Sequence, residues 1–596
     1  MSRHVVATAG HVDHGKSTLI HALTGMEPDR WEEERRRGLT IDLGFAWTTL
    51  VSGRTVAFVD VPGHHRFLAN TLAGLGPAPV VCFVVAADQG WQAQSSDHRD
   101  AVAALGIRHG LIVVTRADRA PQQGLEVLAQ ARAELADTGL RDAPGVVVSA
   151  VTGAGLAELR ETLDGVLAGA PAPDTSARVR LWVDRSFTIT GAGTVVTGTL
   201  SAGSLATGDQ LDLLGTSRTR SVPIRGLQSC GVRHTALEPV ARVALNLRAV
   251  PREAVRRGDA LLTPGAWPST RVLDVRRATG GPLTKLPAQL VVHVGTAAVP
   301  ARLRPFDDDH GRLTLSRKLP LVLGDRLVLR DPGSVRLLGG AQVLDAEPPA
   351  LRRRGDGGRR AIALAAVGAG GDAEAEVARR GAVRADHLRR LGLPTDTVPA
   401  DTVVFDGWWV HRPTHEAWQQ RLRTAVEDLH SRDPLSEGIS RGAAVDLLGL
   451  VDESLLEIVV GQAGLEQRGG HIRRAGAPTG LGGAEAPVSD LEIRLRANPF
   501  RAPEIYELQA LGLGNRELAA AERAGRLLRL RDGVVLLPSA PALAMRTLAG
   551  LPQPFTTSQA RQALDTTRRV AIPLLEHLDS RGWTRRLDAG HREVVR

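Results

Sequence analysis

Cysteine is almost absent: Cys82 and Cys230 are the only two in 596 residues. Two thiols cannot build a disulfide framework, which points to a reducing compartment. Lysine is nearly as scarce, with Lys16, Lys285 and Lys318 the only three. No apolar run is long enough to span a bilayer. The opening residues, MSRHVVATAG, lack a charged segment leading into a long apolar one, so no signal peptide is expected. These absences exclude a disulfide-stapled secreted protein and a helical membrane protein. A soluble cytoplasmic protein is the expectation.

The formal net charge is +9 and the isoelectric point about 10.6, which fits a polyanionic partner. An arginine-for-lysine coding bias would account for the same numbers without one. That bias makes Lys16 informative, because it stands where arginine would be bulkier and geometrically wrong.

The chain is long enough for several domains. Up to about Ala170, short β-branched runs (HVVATAG, RTVAFVDV, PVVCFVVAA, HGLIVVT, GVVVSA) alternate with helical stretches, the pattern of a parallel sheet with crossover helices. From Arg178 to about Ala346 the texture is short strands and glycine-rich turns, enough for two small β-barrels. The remainder repeats an order of helix, turn, helix and hairpin, with one hairpin turning at Asp532-Gly533. A single irregular helical domain is the plainer alternative. The fold expected is an α/β domain with a parallel sheet, two β-barrels and four winged-helix domains. The expected limits are 1–172, 173–264, 265–347, a linker at 348–371, then 372–432, 433–486, 487–540 and 541–596.

GHVDHGKS, Gly10 to Ser17, fits G-x-x-x-x-G-K-[ST] between an apolar strand and a helical run, which is the context the motif requires. Backbone N–H groups of Asp13, His14, Gly15, Lys16, Ser17 and Thr18 would wrap phosphates at a helix N-terminus. Lys16 would bridge β- and γ-phosphates, and Ser17 would ligate Mg²⁺. FVDVPGHHRF places Asp60 at a strand end, where it can hold Mg²⁺ through water. Gly63 follows near the γ-phosphate, and His64 is set to orient the attacking water. Thr40, in ERRRGLTIDLGF, could give the metal a second protein oxygen in a segment that orders only with the γ-phosphate. In VVTRAD, Asp118 can accept from guanine N1–H and its exocyclic amine. Ser149 and Ala150 can present a backbone N–H to the guanine oxygen. GTP, GDP and Mg²⁺ are the implied ligands.

These motifs together resemble the translational GTPases of the elongation factor Tu type, for which GHVDHGKST and DVPGH are close to diagnostic. The base-reading segment departs from the family's Asn-Lys-x-Asp, reading Thr115-Arg116-Ala117-Asp118 here. The arginine can still stack over the base. Thr115 lacks an amide's double hydrogen-bonding capacity, so guanine specificity rests mainly on Asp118.

The extra helical tail, with RGLTIDLGF, DRSFTITGAGTVVTGTL, ARVALNL and DPLSEGISR, is similar to the bacterial selenocysteine-specific elongation factors. That resemblance implies delivery of selenocysteyl-tRNA to a ribosome paused at UGA. The tail would hold a hairpin of the same mRNA (SECIS), and delivery would trigger GTP hydrolysis. It also implies a pocket for an ionised selenol at Asp184, Arg185 and Arg242, bordered by Phe45 and His64. A surface Asp-Arg pair at a strand end is the plain alternative for VDRSF. The GAG cluster just after it could pass for a dinucleotide loop, but TVVTGTL continues as a strand and no helix opens there.

In the last repeat, Arg568 and Arg569 begin a recognition helix, and Arg585, Arg586 and His591 lie on the following hairpin. They could bind RNA phosphates, while scattered arginines are also what a solvated helix carries. Trp408, Trp409 and Trp418 read as core rather than stacking platforms. A monomer is expected. Two other readings remain open: a general tRNA carrier with an unrelated tail, and a non-catalytic RNA-tethering regulator. Intact Lys16, Ser17, Thr40, Asp60 and His64 argue against the second.

Overall fold

The computed structural model describes residues 2–28, 40–191, 193–215, 219–368, 370–433, 435–476 and 481–595. The first part of the switch segment, up to Leu39, lies outside the described residues, as does Ala192 of the GAG cluster. The chain divides into two compact units, Met1–Arg379 with Val383–Ala400, and Arg380–Ala382 with Asp401–Arg596.

In the first unit, six strands form one sheet: β1 (Arg3–Ala9), β2 (Gly44–Thr49), β3 (Thr55–Asp60), β4 (Val80–Ala86), β5 (His109–Thr115) and β6 (Gly145–Val147). Their order is β2-β3-β1-β4-β5-β6, parallel except for the β2–β3 pair. Every residue of β4, VVCFVVA, is buried, as a central strand covered on both faces demands. Helices α1 (Lys16–Thr24), α2 (Leu68–Leu75), α3 (Ala93–Leu105), α4 (Gly124–Leu135) and α5 (Leu156–Gly169) supply the cover. The segments that carry candidate chemistry leave the carboxyl ends of β1, β3 and β5, where open α/β sheets bind ligands.

The next strands close a ring: Gln210–Leu214, Ala260–Leu262, β7 (Arg180–Ile189), β8 (Gly193–Leu200), Ala241–Leu247 and Thr219–Ser229, sealed by the pairing of the first with the last. Gly191 and Gly193 take φ of 78° and 88° at the β7–β8 turn, a left-handed geometry that glycine tolerates. Gly191 and Gly193 therefore belong to a hairpin turn that runs straight into a strand. A second closed barrel is built between Thr270–Gly280 and Leu337–Asp345. Each barrel has its own aliphatic core.

The second unit is helical with small wings. Hairpins pair Thr402–Phe405 with Trp408–His411, Leu465–Arg468 with His471–Arg474, Leu528–Arg529 with Val535–Leu536, and Thr584–Arg586 with His591–Val594. Asp406-Gly407 and Asp532-Gly533 both turn with positive φ, the conformation that makes Asp-Gly a hairpin signal. The second and fourth hairpins gain a third strand, Ile439–Ser440 and Phe555–Thr556 respectively. The hairpin at Asp532-Gly533 has two strands among the described residues. Trp408, Trp409 and Trp418 are buried, as core residues.

Candidate functional site

The loop after β1 is shaped by close approach. Gly10 has φ of 128°, and a Cβ there would lie 2.1 Å from the Val84 carbonyl oxygen of β4. Gly15 caps α1 in a left-handed conformation, and Lys16 opens the helix. The Lys16 ammonium donates to the carbonyls of Gly10 (3.0 Å) and His11 (2.8 Å). Asp13 also turns with positive φ, and Thr18 is exposed on the first helical turn. A Cβ on Gly63 would fall 2.5 Å from Lys16 Nζ and 2.4 Å from the Val12 nitrogen. A side chain there would fill the space that the loop and Lys16 border.

Histidines pack beneath this loop. His98 Nδ1 accepts the Gly10 N–H at 2.9 Å, and His14 Nδ1 lies 3.4 Å from the Val84 carbonyl. Burial drives both imidazoles down to about 3, helped at His98 by Lys16 and at His14 by His11. Both rings are thus neutral at physiological pH.

Three oxygen donors converge beside Ser17. Its Oγ donates to Asp60 Oδ2 at 2.6 Å and lies 3.1 Å from Thr40 Oγ1, while Thr8 donates to Asp60 Oδ1 at 2.7 Å. Two hydroxyls and a carboxylate are hard ligands of the kind Mg²⁺ takes, next to an ammonium and a helix N-terminus suited to phosphate. The donor set and the glycine-bounded space fit a magnesium–nucleotide pair.

His64 follows Gly63 and caps a single helical turn, His65–Phe67, its Nδ1 accepting the Arg66 N–H at 3.2 Å. Its ring stacks on His65 at 4.3 Å between centroids. Partial burial, then His65 and Arg66, lower its pKa. The imidazole is neutral at pH 7, with Nδ1 used as an acceptor and the proton on Nε2.

At the end of β5, the buried Thr115 hydroxyl donates to the His14 carbonyl at 2.6 Å. Arg116 turns with φ of 56° toward Asp88, 3.4 Å away. Ser149 donates to Asp118 Oδ1 at 2.6 Å, and this bond is the main cause of a lowered carboxyl pKa. Ala150 is next in chain, so Asp118, Ser149 and Ala150 lie together.

The cluster expected around VDRSF is also gathered. Asp184 is 6 % exposed, and both its oxygens take the Arg242 guanidinium, one at 2.7 Å. Burial would raise this carboxyl, but Arg242, together with the Thr197 hydroxyl at 2.6 Å, holds it below the ordinary range. Arg242 stacks on the Phe45 ring with its guanidinium carbon 3.9 Å from the centroid, and Arg185 lies 4.8 Å from it. Phe45, Trp47, Arg185, Phe187, Cys230 and Arg242 line a cavity of about 230 Å³ between the α/β sheet and the first barrel. His64 is not among its lining residues. Sequence reading missed Cys230, which sits in a tight hairpin turn with φ of 48°. It also missed Arg257, which donates to Asn70 at 2.7 Å and to Asp42 at 3.2 Å. Only a fold brings these to VDRSF.

The tail residues fare unevenly. Arg568 is exposed at the start of its helix, Arg568–Ser580. Arg569 turns inward to the carbonyls of Ala502 (3.1 Å) and Pro503 (3.0 Å) and to Glu504 (3.0 Å). Arg585 pairs with Glu593 at 3.0 Å, Arg586 with the Asp588 carbonyl at 2.9 Å, and His591 with Asp588 at 3.1 Å. The unpredicted Arg592 is buried and bound to Asp579 (2.9 Å) and Thr557 (3.1 Å), fixing wing to helices.

Three family models match this chain: the elongation factor Tu GTP binding domain over residues 2–168, the beta-barrel domain of selenocysteine-specific elongation factor over 271–350, and the winged helix of elongation factor SelB over 546–592. The selenocysteine-specific elongation factor of Escherichia coli (strain K12) is 31 % identical over 616 residues, covering 98 % of each chain. That of Desulfomicrobium baculatum is 29 % identical over 633 residues, again covering 98 % of each. A crystal structure of a bacterial selenocysteine-specific elongation factor, EF-Sec, superposes with a TM-score of 0.74 at 25 % identity over 100 % of both chains. A nucleotide-loop domain, two barrels, a winged-helix tail and full-length likeness agree: the chain is a translational GTPase and belongs to the selenocysteine-specific elongation factors.

Proposed function

We propose that this protein carries selenocysteyl-tRNA to the ribosome at UGA codons marked by an mRNA hairpin, hydrolysing GTP on arrival. The observation that carries this reading is the Arg185–Phe45–Arg242 stack beside buried Asp184. A seryl-tRNA of the same body differs from the selenocysteyl form by one atom, a neutral hydroxyl for an ionisable selenol. Two guanidiniums held against an aromatic face favour the anion, because a charge taken out of water binds only where it is paired. Asp184 orients Arg242, and Arg185 faces the selenolate with it.

For the nucleotide, the backbone from Asp13 to Thr18 with Gly63 would hold the phosphates. Lys16 would leave the Gly10 and His11 carbonyls for them, and Ser17, Thr40 and Asp60 would hold Mg²⁺ directly or through water. The metal, when bound, offsets charge on the transferred phosphoryl oxygens. Neutral His64 orients the attacking water. Asp118 reads guanine, Ser149 steadies that carboxylate, and the Ala150 N–H meets the base oxygen.

The tail, read as four winged-helix units, would bind the hairpin through Arg568, Arg585, Arg586 and His591. Arg569 would instead brace the recognition helix. The protein acts in the cytoplasm as a monomer.

Titration of the GTP-bound protein with selenocysteyl- and seryl-tRNA tests this. Equal affinities would leave a general tRNA carrier. Ribosome-stimulated GTP hydrolysis that survives His64→Ala would remove His64 from its role.

A further inference from the structure

Asp42 stands two residues beyond Thr40 and three before Phe45, on the path between the candidate metal ligands and the cavity. Its Oδ2 accepts from Arg185 at 3.2 Å, and its Oδ1 accepts from Arg257 at 3.2 Å. Each neighbour in this short run is tied to a different part. Thr40 Oγ1 meets Ser17 Oγ at 3.1 Å. The Ile41 carbonyl accepts from Asn70 of α2 at 2.8 Å, and Asn70 in turn accepts from Arg257 at 2.7 Å. The Leu43 carbonyl accepts from Arg185. Four consecutive residues thus link the phosphate loop, the helix after His64 and two arginines of the first barrel. Asp42, Arg185 and Arg257 are each partly buried, with Asp42 itself 27 % exposed, so water screens these bonds less than at an open surface.

We propose that Asp42 is a positioning residue that makes the cavity's hold on an anion depend on the nucleotide. With Thr40 beside Ser17, Asp42 and the Leu43 carbonyl hold Arg185 at the cavity rim, over Phe45. When Thr40 leaves that place, Asp42 leaves with it, and Arg185 loses these two bonds. Arg242, fixed by Asp184 within the barrel, stays put. One guanidinium of the pair is therefore permanent and the other conditional. The inference rests on the selenocysteine reading of the cavity given above.

The test is Asp42→Asn in the full-length protein. Affinities for selenocysteyl- and seryl-tRNA are measured with GTP and with GDP, alongside the affinity for each nucleotide alone. The expected result is that the GTP-over-GDP preference for selenocysteyl-tRNA falls at least tenfold. Seryl-tRNA binding and nucleotide affinity should stay within about twofold, and Asp42→Glu should recover part of the preference. Arg257→Gln, which removes only the second tether, should shift the preference in the same direction by less. An unchanged preference in Asp42→Asn overturns the inference. So does an equal loss for both tRNAs, which would mark a purely structural residue. If the wild-type protein itself binds the two tRNAs equally, the selenocysteine reading fails first and takes this inference with it.

Discussion

Thr115 and His14 are separated by 101 residues in sequence and by one hydrogen bond in space, the hydroxyl donating to the carbonyl at 2.6 Å. The bond ties the segment that carries Asp118 to the loop that carries Lys16. It also gives Thr115 a task where the family has an asparagine: its single hydroxyl donor ties this segment to the loop. Thr115→Val keeps the shape and strands a buried carbonyl, which costs about 1–3 kcal/mol. GDP and GTP affinities should both fall, by about tenfold, without a change in their ratio. Nucleotide titration by fluorescence decides it, and a change confined to one nucleotide would refute a shared tether.

Asp118→Asn changes an acceptor pair into one acceptor and one donor. Two hydrogen bonds from guanine to a charged carboxylate contribute about 1.5 kcal/mol or more each, so GTP binding should weaken by about 100-fold or more. Xanthine carries a carbonyl where guanine has its amine, so XTP should bind the variant better than the parent. Competition between the two triphosphates checks both statements at once.

His14 and His98 predict an acid-sensitive nucleotide domain. Their folded pKa values of about 3 lie below the ordinary histidine value, so between pH 3 and 6.5 the unfolded chain binds protons that the folded one does not. Stability then rises with pH across that window and is fully present above it, with a slope of up to about 1.4 kcal/mol per pH unit for each histidine. His98→Asn keeps an acceptor for the Gly10 N–H and removes the titration. Denaturant unfolding between pH 7 and 5 should show a shallower acid loss in the variant. An unaltered slope would count against burial as the cause.

Arg242→Met leaves the Asp184 carboxylate buried with its main partner gone, at a cost of about 3–5 kcal/mol. The double variant Asp184→Asn, Arg242→Gln removes both charges and should recover most of that stability while still failing to prefer selenocysteyl-tRNA. Hydrogen exchange over residues 180–200 with parallel tRNA titrations would separate folding from recognition. Recovery of both together would show that the pair serves the barrel alone.

The candidate nucleotide site could be assembled from the sequence because its signals are local. Loop glycines, Lys16 and Ser17 fall within eight residues, and Asp60 ends a strand whose apolar run is plain. The cavity was only half legible, for a geometric reason. Strict alternation along LWVDRSF would turn Arg185 to the side opposite Asp184. The β7–β8 register instead shifts between Val183 and Arg185, an extra residue that sets Asp184 and Arg185 together opposite Thr197 while Val183 stays in the first barrel's core. Bulges re-aim side chains in this way, and nothing in a period-two pattern announces one. Arg257 and Asn70 were illegible because their meaning depends on three segments meeting. Arg569 looked like a phosphate contact because charge and helix position were all the sequence offered, and its inward turn toward Ala502 and Pro503 depends on packing between two winged units.

That inward turn has a consequence for the salt dependence of RNA binding. An arginine already bonded to its own backbone condenses no phosphate and releases no counterion when nucleic acid arrives. With Arg569 and Arg592 both committed to the fold, the proposed hold of the tail on a hairpin would draw less on ion release than its arginine content suggests. Binding should therefore survive rising salt with a shallow slope, so that selection among RNAs falls to shape and to the bases a hairpin loop exposes.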